Sequence, residues 1–165
     1  MFYISQFIIS FICAIGFCLV FQTPKKPMII SGLNAGIGWL IYKSVTIKTG
    51  SAYMGTFLSA FVIAFISEYC AKAFRYPAVI FIVPGIINLC PGEAIFNTMK
   101  YFINNENTLV LLTLFKAMAL AGAIAFGVLL STSFSTNMKN FRRRSTKRTN
   151  YTNYFRRKKW NKPYI

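Results

Sequence analysis

PAVIFIVPGIINLCPGEAIFNTMKYFI, residues 77–103, is the stretch on which the reading of this chain turns. It is apolar enough to enter a bilayer, yet it holds Pro77, Pro84 and Pro91 and two Pro-Gly pairs, Pro84-Gly85 and Pro91-Gly92. Each proline removes a backbone donor and crowds the preceding turn, and the glycine beside it lets the chain leave helical geometry. In lipid, every amide or carbonyl so freed costs several kcal/mol unless protein or a water-filled cavity satisfies it. The expected form is therefore two half-helices, about residues 77–83 and 93–103, joined by an unwound segment 84–92. Interrupted helices of this kind are where transporters place their binding sites.

Working outward, the same apolar character recurs from the first residue to about Leu130. Residues 2–21 form an uncharged run, long enough at about 1.5 Å per residue to cross the hydrocarbon. Without a basic start or an AxA-like cleavage site it reads as a retained helix rather than a signal peptide. Residues 28–47 form a second span that carries Lys43 near one end, where it can snorkel, and a Gly32/Gly36 pair suited to close helix packing. A third span, 51–71, sets Ser51, Gly55 and Ser59 at helical spacing and closes with Glu68, Lys72 and Arg75; Glu68 and Lys72 at i, i+4 read as a surface ion pair. The interrupted element is the fourth, and residues 108–130 are the last, rich in Ala and Gly with Lys116 as their one charge. With 55% hydrophobic residues and only 13% charged, the fold class is an all-α integral membrane protein of about five transmembrane helices, the fourth interrupted by paired Pro-Gly breaks.

The composition excludes several chemistries. There is no His and no Asp, and the acids are Glu68, Glu93 and Glu106. A His-based triad, an HExxH zinc site and a two-aspartate phosphoryl-transfer site cannot be assembled. No GxxxxGK[ST] phosphate loop occurs, so ATP-driven work would need another subunit. No catalytic residue, metal or cofactor is expected. Cys13, Cys18, Cys70 and Cys90 lie in or beside apolar runs without metal spacing and read as small buried hydrophobes.

Two domains follow: residues 1–134 in the membrane, and a tail, 135–165, that should be disordered or fold only on a surface. Eleven Lys/Arg and no acid lie within residues 137–165. Arg142, Arg143, Arg144, Lys147, Arg148, Arg156, Arg157, Lys158 and Lys159 form clusters that attract an anionic leaflet. Interleaved aromatic residues also suit single-stranded nucleic acid, but no RNA-binding motif is present. Docking onto an acidic partner is a third option.

The residues able to carry chemistry gather near the break. Glu93 opens a half-helix, where a carboxylate meets the positive end of the helix dipole. An ionisable group at membrane depth is also expensive unless it is used, so Glu93 is a coupling or substrate candidate as well. The half-helix terminus offers backbone N–H groups to a carboxylate, and with an ammonium on Glu93 the ligand would be a zwitterionic amino acid. Lys116 either snorkels to the interface or partners Glu93. Asn88, Asn97 and Thr98 supply neutral polar groups, and each suits a helix–helix hydrogen bond or a ligand contact. Pro84, Gly85, Pro91 and Gly92 complete the candidate set.

In GLNAGIGWLIY (Gly32–Tyr42), FLSAFVIAFISEYCAKAFRYPA (Phe57–Ala78) and above all VPGIINLCPGEAIFNTM (Val83–Met99), the chain resembles the threonine/serine exporter family, in particular its small subunit in split two-component systems. That resemblance implies export of small amino acids such as threonine and serine, or of a dicarboxylate such as succinate. It further implies coupling to the proton-motive force, a larger membrane subunit as partner, a hetero- or homo-oligomer, and a bacterial inner membrane. The matching positions are Pro84, Gly85, Pro91 and Gly92. The family carries proline where this chain has Asn88 and a small residue where it has Glu93, so the role assigned to Glu93 is not inherited. The competing expectation is a non-transporting membrane scaffold whose basic tail binds lipid, RNA or an acidic protein.

Charge orients the chain. With five crossings, Lys25, Lys26, Lys72, Arg75 and the tail share one side, while Lys43, Lys48 and Lys100 face the other. The positive-inside rule then puts the N-terminus outside and the tail in the cytoplasm. A protease should cut the tail in inverted vesicles and spare it in intact cells; the reverse pattern would reject this topology.

Overall fold

The computed structural model describes the backbone of residues 2–160 and the side chains of residues 3–136. The described elements are all helices: α1 (Phe2–Val20), α2 (Lys25–Thr49), α3 (Ala52–Phe74), α4 (Val79–Ile87), α5 (Gly92–Ile103) and α6 (Asn107–Trp160). The chain divides into two compact units after Thr132, and the helical bundle is the first.

α2 is the hub, packed against α1, α3 and α4. Its buried positions are Pro27, Ser31, Gly32, Asn34, Ala35, Gly36 and Gly38, small or polar residues that let three neighbours approach one helix. The ring of Phe11 fills the space above Gly32 and that of Phe7 the space above Gly36, so the glycine pair seats α1 rather than a second glycine face. Several polar groups inside the bundle are tied across helices. Ser10 Oγ donates to the carbonyl of Ala35 at 3.2 Å, Ser59 Oγ to that of Gly38 at 2.5 Å, and Asn34 Nδ2 to the carbonyl of Ile63 at 3.1 Å and to Ser67 Oγ at 2.8 Å. Ile63 is fully buried and wedges between Gly38 of α2 and Gly85 of α4.

Three helices are long and apolar enough to cross a membrane: α1 over Tyr3–Val20, α3 over Ala52–Phe74 and α6 over Asn107–Thr136. The pair α4–α5, bent by 52° at its break, can make a fourth. α2 is long enough, since 25 residues extend about 37 Å. Its small and polar buried stripe lowers its hydropathy, and it does not join that set.

Several expectations are corrected here. The break is shorter than 84–92: Pro84 and Gly85 lie inside α4, and the chain leaves helical geometry only between Ile87 and Gly92. A proline inside a helix strands the carbonyl one turn back. Here that carbonyl belongs to Ile80, and Ser31 Oγ reaches it from α2 at a long 3.4 Å. Gly85 stays helical because it is needed as a surface for Ile63, not as a hinge. Glu68 is not a surface residue, since it continues the buried stripe Ser59, Ala60, Ile63, Ala64, Ser67 of α3, and Lys72 reaches it only at 3.9 Å. Of the cysteines, Cys18 is buried, whereas Cys13 and Cys90 are exposed. The backbone of α6 continues as helix to Trp160. No Gly or Pro interrupts residues 128–162, and Lys and Arg are good helix formers. The side chains of Arg142, Arg143, Arg144, Lys147, Arg148, Arg156, Arg157, Lys158 and Lys159 lie outside the described residues.

α6 meets α3 at Gly127, where a Cβ would stand 2.7 Å from the backbone oxygen of Phe57. Backbone cannot rotate aside, so Gly127→Ala should cost about 1–3 kcal/mol by overpacking. A lowered midpoint of thermal unfolding in detergent is the expected result. Gly122→Ala, with open space around it, should leave the midpoint unchanged. Equal midpoints for both variants would contradict the α3–α6 crossing.

Candidate functional site

The break between α4 and α5 carries its own hydrogen bonds as far as geometry allows. Leu89 N–H donates to the carbonyl of Ile86 at 2.8 Å, Cys90 N–H to that of Ile87 at 3.2 Å, and Gly92 N–H to that of Cys90 at 2.8 Å. Pro91 then stands at the cap of α5 and gives no side-chain hydrogen bond, so the first turn of α5 opens uncapped. Asn88 fixes the break from outside: its Nδ2 donates to Ser10 Oγ at 2.7 Å and to the carbonyl of Ser10 at 3.0 Å.

Beside the break lies a cleft of about 250 Å³. Asn88, Cys90, Pro91, Glu93 and Asn97 line it from the break and α5, Trp39, Tyr42 and Thr56 from α2 and α3, and Thr113 and Lys116 from α6. α5 and α6 form an antiparallel hairpin closed by the turn at residues 104–106, and Thr98 Oγ1 donates across it to Thr113 Oγ1 at 2.9 Å. Thr113 in turn donates to the carbonyl of Leu109 at 2.8 Å. On the opposite wall the Trp39 indole is anchored, its Nε1–H donating to Gln6 Oε1 at 2.8 Å. The Tyr42 ring lies 5.2 Å from Trp39, and Lys43 Nζ sits 5.5 Å over the indole as a cation–π contact.

The sequence-predicted residues therefore separate. Asn88, Pro91, Glu93, Asn97 and Lys116 are brought together on one cleft. Gly92 begins α5 beside it, and Thr98 is spent on the hairpin. Asn88 is a helix–helix tie. Pro84 and Gly85 are buried in the packing of α4 and do not line the cleft. Glu93, Asn97 and Lys116 have no hydrogen bond or ion pair with protein among the described residues, so their polar groups are available to a ligand. Sequence reasoning missed Trp39, Tyr42, Thr56 and Thr113. The aromatic pair sits at the end of the small-residue run of α2, beside Lys43; that change from small to aromatic and basic residues was the one usable signal. The two threonines had none.

The arrangement offers one carboxylate, one ammonium, one free carboxamide, the Cys90 thiol and an aromatic wall. A family model described as threonine/serine exporter matches residues 6–134. A curated relative, a threonine/serine exporter from Corynebacterium glutamicum, is 25% identical over 126 residues, covering 76% of this chain and 26% of the relative. The chain thus spans about a quarter of that relative's length. No solved structure matches. With a helical bundle of membrane-spanning character, a polar cleft at a broken helix and a family match over most of its length, this chain belongs to the threonine/serine exporter family of membrane transporters.

Proposed function

We propose that the chain is one component of a secondary exporter of small zwitterionic amino acids such as threonine and serine, linked to the proton-motive force. In this reading α2 is the fifth crossing, the N-terminus is outside, and the protein resides in a bacterial inner membrane. The observation that carries it is the trio Glu93, Asn97 and Lys116, unpaired among the described residues, facing one cleft at the α4–α5 break. A charged side chain near the bilayer centre costs about 2.5–3.5 kcal/mol on insertion scales. Two such groups on an open cleft make physical sense where water, substrate or a partner meets them.

The chemistry selects the substrate class. An α-ammonium pairs with the Glu93 carboxylate, and an α-carboxylate pairs with Lys116 and the uncapped first turn of α5. Asn97 can take a side-chain hydroxyl. A dicarboxylate such as succinate fits less well, because Glu93 would stand against its second negative charge. In this reading a larger membrane subunit closes the open side of the cleft, where α5 buries only Ala94 and Glu93 and Lys116 stand exposed.

The test is efflux of labelled threonine from loaded cells, with this chain alone and together with a candidate large subunit. Efflux only when both are present is the expected result; no threonine or serine efflux in either case, with both proteins confirmed in the membrane, would reject it. Hydrogen bonds to charged groups contribute about 1.5–3 kcal/mol. Glu93→Gln and Lys116→Gln should therefore each lower efflux by roughly ten- to a hundredfold. Deleting residues 137–165 should leave efflux intact provided the protein still inserts. Loss of efflux on that deletion alone, with insertion verified, would favour the scaffold reading.

A further inference from the structure

A second depression lies away from the cleft, where the α1–α2 turn meets the start of α4. It measures about 400 Å³ and is walled by Phe21, Pro24, Val79, Ile80, Val83 and Pro84. Along α4 these residues fall at i, i+1, i+4 and i+5, one stripe running from the helix end inward, so the groove follows the helix axis for about 7 Å. A slot that starts at the end of a bundle and points along its helices has the shape an acyl chain takes in a bilayer.

Cations next to the lining residues along the chain supply the other half of a lipid. Lys25 and Lys26 directly follow Pro24 at the groove wall, and Arg75 ends α3 four residues before Val79; all three are exposed. The one acid at this end is Glu68, which already stands beside Lys72. The first turn of α2 contains two lysines and no acid, an order the helix dipole disfavours, so an anion held there would relieve the repulsion. The chain's own tail cannot be that occupant, because it carries the same sign of charge.

We propose that this groove is a binding site for one anionic phospholipid, its acyl chain along α4 and its phosphate on Lys25, Lys26 and Arg75. Basic pockets between transmembrane helices bind anionic headgroups in the same way. The site is independent of the cleft and of the substrate proposed for it.

The full chain, reconstituted in phosphatidylcholine vesicles, is exposed to trace phosphatidylglycerol or trace phosphatidylcholine, each with a photoreactive group in the acyl chain. Labelled peptides are then located by mass spectrometry, which separates the groove from the basic tail. Phosphatidylglycerol should label the peptides containing Phe21 and Val79–Val83 with a preference of roughly fivefold for each participating cation. The triple variant Lys25→Gln, Lys26→Gln, Arg75→Gln should reduce that labelling to the phosphatidylcholine level, and Val83→Trp, which fills the groove, should remove it for both lipids. Helicity by circular dichroism shows that the variants are folded. Equal labelling by the two lipids, or a triple variant that labels like the unaltered chain, would overturn the proposal in favour of an ordinary lipid belt. Competition by inorganic phosphate alone would overturn it in favour of a free-anion site.

Discussion

A membrane-spanning chain cannot leave helical geometry without finding partners for its backbone, and everything distinctive about this protein follows from how it does so between Ile87 and Gly92. Three short turns of hydrogen bonding carry part of the cost. Asn88 carries the rest of the positioning by clamping the break to Ser10 of α1, itself bonded to Ala35 of α2. Ile63 fixes the preceding helix between Gly38 and Gly85. With α4 held on three sides, the 52° bend directs α5 away from the core, so that only Ala94 is buried and a cleft opens behind it.

The hub helix shows the trade involved. α2 gives up apolar side chains for Gly, Ala, Ser and Asn because three helices must pack around it. Each interhelical hydrogen bond it makes is worth only about 0.6 kcal/mol on average in a membrane. Close backbone approach and many such bonds together replace the bulk of a large-residue core. The same helix carries Trp39 and Tyr42, which pack on the core with one side and line the cleft with the other.

How much of this could be read from the chain depends on distance along it. Helix placement and the Pro91-Gly92 break were legible because proline, glycine and hydropathy act locally. Pro84-Gly85 misled, because the groups that keep α4 helical, Ser31 and Ile63, come from other helices and follow no local pattern. Glu93, Asn97 and Lys116 stood out because polar groups are rare in apolar runs, and they do share a cleft. Asn88 read more readily as a helix contact than as a ligand group, and the fold shows it spent on Ser10. Glu68 looked exposed beside Lys72, while its burial depends on which face of α3 meets α2 and α4.

The central claim is that the cleft at the break is reached by water and occupied by substrate, and Cys90, exposed on its wall, is a direct probe. In a chain with Cys13, Cys18 and Cys70 replaced by serine, the rate of Cys90 modification by a charged, membrane-impermeant thiol reagent would be measured with and without threonine. The account predicts modification that threonine slows and succinate does not. Failure of the reagent to reach Cys90 from either side of the membrane, or a rate that threonine leaves unchanged, would contradict it.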